Sequence, residues 1–140
     1  MRKNSILLIV STIFLVGLDL LSKYIFYNLK YLEHISLIWP ALNKGISRSL
    51  PVPFFITITI SIIGLGAFIW LFVTKKLGRV ISALLIWGTI GNLIDRLTYW
   101  GVRDFINIGL FNFPVFNLAD VMLSVGVIIR IVIVMLEKKK

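Results

Sequence analysis

The sequence predicts an all-α membrane protein with four transmembrane helices, and three observations carry that prediction. Hydrophobic residues make up 59% of the 140 residues, and charged residues make up only 15%. The mean hydropathy of +0.98 lies far outside the range of soluble globular domains. The apolar residues are also grouped into long stretches that shorter polar segments separate.

A helix needs about 20 mostly apolar residues to cross the hydrocarbon core of a bilayer. Residues 5–26, 54–74, 79–99 and 116–137 meet this requirement. The first stretch follows a basic start as a signal peptide does, but it is long, lacks a small-residue cleavage site and contains Asp19 and Lys23. It is therefore predicted to be a retained helix. No repeat or linker interrupts residues 1–140, which predicts a single domain.

Basic residues are concentrated on one side of the predicted membrane: Arg2, Lys3, Lys75, Lys76, Arg79, Lys138, Lys139 and Lys140. The positive-inside rule then places both termini and the 75–79 turn in the cytoplasm. Loops 27–53 and 100–115 face outward, although Lys30, Lys44, Arg48 and Arg103 make the asymmetry less clean. The 27–53 loop is too polar to span the membrane and predicts a small β or interfacial element between helices 1 and 2.

Charge and residue usage exclude several kinds of site. The net charge is +9, but the basic residues lie at the ends of apolar segments, which favours anionic membrane lipids and not nucleic acid as partners. There is no cysteine, so disulfides and thiolate metal sites are absent. With His34 as the single histidine, a histidine metal site or a Ser-His triad is hard to build. Carboxylate chemistry remains, with no metal and no cofactor.

Two of the six acidic residues, Asp104 and Asp120, lie at the edges of apolar segments, where a carboxylate is costly. The loop between them returns the chain to the same outer surface, so they can meet. Two carboxylates in a partly dry site share a proton, and such a pair can activate water and protonate a leaving amine. An intramembrane aspartyl peptidase is the favoured interpretation. A proton- or ion-coupled transporter using Asp19, Asp104 and Asp120 as a relay, or a structural helix bundle, is the alternative.

Other polar residues repeat a helical spacing near this surface. Asp19 and Lys23 stand four apart, which predicts an ion pair with Lys23 reaching toward the interface. Asn92 and Arg96 share a face with Asp95 on the third helix, and Arg96 can satisfy a carboxylate or a loop carbonyl. Each of these sets also has a structural interpretation, as a helix-end ion pair or a capping cluster. The same holds for Asn117 and Asp120, where an acid in the first turn favours the helix dipole.

Three ordered motifs resemble the bacterial lipoprotein signal peptidase (signal peptidase II) family of aspartyl peptidases. They are Gly-Asn-Leu-Ile-Asp-Arg at 91–96, Val-Arg-Asp-Phe at 102–105 and Phe-Pro-Val-Phe-Asn-Leu-Ala-Asp at 113–120. Asp19 with Lys23, and Asn43-x-Gly45 in the first outer loop, fit the pattern in the same order. The resemblance therefore covers nearly the whole chain.

The resemblance implies an endopeptidase of the bacterial inner membrane that removes signal peptides from diacylglyceryl-modified prolipoproteins before the lipidated cysteine. By motif, Asp104 and Asp120 correspond to the catalytic pair. The supporting or substrate-binding positions are Asp19, Asn43, Gly45, Asn92, Arg96 and Asn117. One departure follows Gly45, where small residues and an aromatic are expected but the chain reads Ile46-Ser47-Arg48-Ser49. We expect Lys44 and Arg48 to hold this loop at anionic headgroups.

Overall fold

The architecture consists of four long helices joined on one side by two loops that share a small sheet. A computed structural model describes residues 2–45, 52–110 and 113–138. The helices are α1 Arg2–Lys23, α2 Phe54–Val73, α3 Arg79–Tyr99 and α4 Leu118–Glu137. All four are long and apolar enough to cross a membrane, which confirms the prediction of a multi-pass, four-helix fold. The predicted ends differ from the observed ones by a few residues at most.

Helix α1 does not stop at Lys23. Its last residues continue as a π-helical turn, Tyr24–Asn28, which extends the first candidate span to Ile9–Asn28. The Ile46-Ser47-Arg48-Ser49 departure and Pro51 lie outside the described residues. Pro53, directly before α2, occupies the helix N-cap position. A proline there costs no hydrogen bond, because the first helical amides have no partner within the helix.

Helix α3 is the centre of the fold and packs against the other three helices. Of the apolar stretch of α3, 61% is buried inside the protein. The corresponding share is only 6% to 11% in the other three membrane-spanning helices. The apolar residues of those three helices therefore face lipid. Gly88 allows α4 close approach, since a Cβ atom there would lie 2.6 Å from the Ala119 carbonyl oxygen. Gly91 does the same for Asp19 of α1, since a Cβ atom there would lie 2.5 Å from Asp19 Oδ2.

The predicted β element between α1 and α2 is present as strand β1, Ile38–Asn43. Its partner strand β2, Val102–Ile106, comes from the loop between α3 and α4, which the sequence patterns did not indicate. The strands are antiparallel, with Ala41 opposite Asp104 and a register irregularity between Ile38 and Ala41. Pro40 lies at the irregularity, where its missing N–H costs no ladder hydrogen bond.

The segment before α4 runs alongside β2. The Phe116 amide donates to the Ile106 carbonyl at 3.1 Å, and the Ile106 amide donates back to the Phe116 carbonyl at 2.8 Å. This bridge fixes the first turn of α4 beside the strand that carries Asp104. The loop between the two aspartates therefore closes as the sequence predicted.

Candidate active site

The first turn of α4 is held by a reciprocal capping arrangement. The Asn117 Oδ1 atom accepts from the Asp120 amide at 3.0 Å, and Asp120 Oδ2 accepts from the Asn117 amide at 3.2 Å. An N-cap asparagine with an acidic residue three positions later is a favourable helix start. The capping role considered for these residues is thus correct, but it uses only part of their hydrogen-bonding capacity.

The remaining end of Asn117 faces Asp104. Its Nδ2 atom donates to Asp104 Oδ1 at 2.7 Å, so one asparagine contacts both aspartates. Asp104 is only 2% exposed. Its burial, followed by the nearby charge of Asp120, raises the pKa of Asp104 to about 7, although Asn117 and Asn43 on the same carboxyl act in the opposite direction.

Asn92 on α3 is the third polar residue that contacts this group, because it bonds both Asp120 and Asn117. Its Nδ2 atom donates to Asp120 Oδ1 at 2.7 Å, and its Oδ1 atom accepts from Asn117 Nδ2 at 3.2 Å. Arg96 lies one turn further along α3 and donates through Nη1 to the Asn92 carbonyl at 3.4 Å. Among the described residues Arg96 makes no ion pair, so its guanidinium retains donors for a ligand.

Asn43 enters the site from the end of β1. Its Oδ1 atom accepts from the Gly45 amide at 3.1 Å, which forms a tight side-chain turn. This turn explains the Asn43-x-Gly45 spacing, because the turn holds the Asn43 side chain toward Asp104. Gly45 is buried and acts through its backbone.

Lys23 and Asp19 form the predicted ion pair, with Lys23 Nζ 2.7 Å from Asp19 Oδ2. The expectation that Lys23 reaches the membrane interface is wrong, because its side chain is fully buried. Lys23 Nζ also lies 3.1 Å from Asn92 Oδ1 and 3.4 Å from Asp95 Oδ2. Asp19 Oδ1 accepts from the Ala119 amide at 3.0 Å, which ties α1 to the start of α4.

Arg103 is a structural residue that the sequence interpretation treated only as a charge of the outer loop. Its guanidinium donates to both oxygens of Asp95, with Nη2 2.7 Å from Oδ1. Nη1 donates to Asn28 Oδ1 at 2.6 Å, and the group lies 4.1 Å above the Tyr99 ring. The sequence does contain a sign of this pair. Asp95 and Arg103 carry opposite charges, lie eight residues apart and belong to an apolar region, where a charge is buried only together with a partner.

Asp120, Asn92, Arg96 and Asn43 open onto a cavity of about 410 Å³. Apolar side chains form most of its remaining wall, among them Phe113, Val121 and Val125. Asp120 lines this cavity, whereas Asp104 is buried beside it and does not contribute to the wall. A carboxyl group at the edge of a largely apolar cleft is suited to a substrate that brings a polar bond together with an apolar segment.

Sequence comparisons identify the family. Residues 11–136 match the family described as signal peptidase II. The chain is 34% identical over 143 residues to a lipoprotein signal peptidase of Listeria monocytogenes, covering 92% of this chain and 93% of that one. It is 36% identical over 128 residues to a lipoprotein signal peptidase of Clostridium tetani, and the match covers 87% of this chain and 78% of that one.

Solved structures support the fold. Two bacterial membrane enzymes determined by the in meso method match with TM-scores of 0.78 and 0.74. Their sequence identities are 29% and 28%, and the matches cover 95% and 91% of this chain and 89% and 91% of those chains. The family match and the two lipoprotein signal peptidases support a hydrolase and give no support to the transporter alternative. The chain belongs to the signal peptidase II family and is a membrane-spanning protease.

Proposed function

We propose that this protein is an aspartyl endopeptidase that removes signal peptides from diacylglyceryl-modified prolipoproteins, cutting before the lipidated cysteine. Asp104 and Asp120 are its catalytic pair, and residues 1–140 act as one domain. Membership of the signal peptidase II family supports the reaction. The observation that carries the assignment of the pair is Asn117, whose side-chain and backbone N–H groups reach one aspartate each beside an open cavity.

The chemistry requires one ionised and one protonated carboxyl group. Ionised Asp120 takes a proton from a water molecule, whose oxygen attacks the peptide carbonyl carbon. Protonated Asp104 donates a hydrogen bond to the carbonyl oxygen as it becomes an oxyanion. When the tetrahedral intermediate collapses, the C–N bond breaks and the leaving nitrogen receives a proton from the pair. No covalent enzyme intermediate forms.

The surrounding polar residues have separate roles in this proposal. Asn43 and Asn92 orient the two carboxylates, and Arg96 offers its free guanidinium donors to a substrate carbonyl. Gly45 and Asp19 act indirectly, through the Asn43 turn and the α1–α4 contact. The apolar wall accommodates the apolar part of a lipid-anchored substrate. Because the lipid fixes the substrate at one depth in the bilayer, depth selects the bond that is cut.

The test of the function is cleavage by purified protein in detergent. A prolipoprotein carrying the diacylglyceryl group is expected to release its signal peptide. The same polypeptide without the lipid is the matched control and is expected to be cut much more slowly, since it lacks the anchor. Failure to cut the lipidated substrate under conditions where the protein remains folded would remove the proposed function.

The active site is proposed to face the extracytoplasmic side of the bacterial inner membrane, with both termini in the cytoplasm. The distribution of lysine and arginine supports this orientation. A reporter fused after Lys140 should report a cytoplasmic location, and one inserted at Gly109 in the outer loop should report an external one. The reverse pattern would place the pair on the wrong side for exported lipoproteins.

The pH profile follows from the protonated aspartate. Burial and the charge of Asp120 raise the pKa of Asp104 to about 7, so its proton is present below that pH and lost above it. The value of kcat/KM should therefore fall as the pH rises through about 7. Melting temperatures measured across the same series separate this loss from unfolding. A rate that increases through this range would mean that Asp104 acts as the base.

Asn117 combines a cap with a site contact, and two substitutions separate them. Asn117→Ala loses both, and the lost cap should cost about 1 kcal/mol of unfolding free energy. Asn117→Ser keeps an N-cap oxygen but has no amide to reach Asp104. It should therefore restore most of the melting temperature without restoring turnover. Normal turnover in Asn117→Ser would limit Asn117 to helix capping.

A further inference from the structure

Lys23 is a fully buried cation that the proposed reaction does not use directly. Its ammonium group forms ion pairs with Asp19 Oδ2 at 2.7 Å and Asp95 Oδ2 at 3.4 Å, and it donates a hydrogen bond to Asn92 Oδ1 at 3.1 Å. The remaining contact is to the neutral amide of Asn92, so charge pairing does not account for it. Asn92 also donates to Asp120, which connects Lys23 to the proposed catalytic pair.

The Lys23 contact determines which way the Asn92 amide points. An ammonium group can only donate, so the atom facing it must be the amide oxygen. The NH2 group of Asn92 is then left to donate to Asp120 Oδ1, at 2.7 Å. If the amide rotated by 180°, an NH2 group would face the ammonium and an oxygen would face a carboxylate. Both contacts would be repulsive.

Asn117 is oriented in the same way by a different donor. The backbone N–H of Asp120 faces Asn117 Oδ1, which leaves Asn117 Nδ2 for Asn92 Oδ1 and Asp104 Oδ1. The two amides are therefore mutually consistent. Asn92 Oδ1 accepts from a charged donor, which polarises the amide and strengthens donation by its NH2 group.

We propose that Lys23 is a positioning residue that acts through Asn92 to place the negative charge of the pair on Asp120, leaving Asp104 as the proton donor. The inference rests on the proposed catalytic role of Asp104 and Asp120. Asp120 accepts from Asn92 Nδ2 and from the Asn117 amide, and the nearby Arg96 guanidinium also favours its charge.

The charged groups around the pair come from each element packed against it. They are Asp19 and Lys23 on α1, Asp95 and Arg96 on α3, and Arg103 on β2. Asp19 and Asp95 have cations as direct partners, and Arg103 is bound to Asp95. Among the described residues, Lys23 is the cation that a hydrogen-bonded side chain joins to the pair, and its charge also acts through space on Asp104. In the same part of the chain, Arg96 is bonded only to the Asn92 carbonyl and acts on the pair through space.

The experiment compares Asp19→Asn with Asp19→Asn/Lys23→Met. The first variant sets the baseline because it removes the buried anion that Lys23 would otherwise leave unpaired. Relative to it, the double variant should lose roughly 10- to 100-fold in kcat/KM, as expected for one hydrogen bond to a charged group. The acidic limb of its pH profile should move to higher pH, because the pair holds its second proton more tightly. A purely structural role would change the melting temperature without moving that limb.

A double-mutant cycle separates action through Asn92 from a direct effect of charge. When Asn92→Ala is added to both variants, Lys23→Met should have little further effect. Additive losses, or an unmoved acidic limb, would overturn the inference. If the double variant does not fold, Asp19→Asn/Lys23→Gln supplies the test, since glutamine fills much of the lysine's space with a neutral polar group and removes the ammonium charge that polarises Asn92. It should move the acidic limb to higher pH, and an unmoved limb would again overturn the inference.

Asp104→Asn and Asp120→Asn are measured in the same assay. Near-normal cleavage by either would remove the proposed catalytic pair itself. Inactive aspartate variants together with an unmoved Lys23 profile would remove only the role of Lys23.

Discussion

Replacing Asp104 or Asp120 by asparagine is expected to lower the rate of signal-peptide release by about 100- to 10,000-fold. An amide can neither take the proton from water nor return one to the leaving nitrogen. The two variants differ in how well the site accommodates them. In Asp104→Asn the new amide oxygen can still accept from Asn117 Nδ2, so the hydrogen bond seen at 2.7 Å survives.

Position 120 is less tolerant. Asp120 accepts from Asn117 through one oxygen and from Asn92 through the other. An asparagine there must turn its NH2 group toward one of these donors, so Asp120→Asn should also lower the melting temperature. Asp104→Asn is consequently the cleaner test of chemistry.

The matched control is Glu33→Gln, which removes an exposed carboxylate from the same outer loop region. It should cut the lipidated substrate at the unaltered rate. Cleavage is measured with purified protein in detergent, and melting is measured on the same samples. A fully folded Asp104→Asn that cleaves as fast as Glu33→Gln would end the assignment of Asp104 as a catalytic acid.

Much of the fold could be predicted because a bilayer imposes a simple rule on sequence. Each span must supply about 20 apolar residues, and α2, α3 and α4 begin and end close to where that count places them. The π-helical end of α1 and the pairing of β1 with β2 could not be predicted in this way. The strand pairing depends on contacts between segments distant in sequence, and strand β1 contains Pro40, which disguises its pattern. The apolar pattern of α1 gives no sign of a π-helical turn.

The site was predictable where its residues lie in short motifs. Asn117 and Asp120 share the first turn of α4 as their spacing indicated. Asn92 contacts both of them, and Asp104 joins them through the Phe116 bridge. The partners of Lys23 were not predictable beyond Asp19. A local spacing rule finds an i, i+4 pair, but it cannot show that Asn92, 69 residues away, accepts from the same ammonium group.

Breaking the Arg103–Asp95 pair is expected to have the largest effect on stability. Arg103 is 4% exposed, Asp95 is fully buried, and two of the guanidinium nitrogens contact the carboxylate. Without the Arg103 guanidinium, the only cation that Asp95 keeps among the described residues is Lys23, at the longer distance of 3.4 Å, and Asp19 already shares that cation. Removing one partner of a buried ion pair typically costs about 3–5 kcal/mol. Arg103→Met should therefore lower the unfolding free energy in detergent by that amount, whereas Lys44→Met, at the exposed lysine that follows β1, should change it little.

The direction of a second substitution distinguishes the lost charge from lost packing. Asp95→Leu/Arg103→Met removes both charges and fills the space with apolar atoms, so it should be less destabilised than Arg103→Met alone. Lys23 keeps Asp19 as its partner in this variant. The double variant could instead be the less stable of the two. Arg103 donates to Asn28 and stacks on Tyr99, but both variants lack these contacts, so they would not explain that difference. Asp95 would then stabilise the fold mainly through Lys23, and Arg103 would serve chiefly to hold β2, and Asp104 with it, against α3.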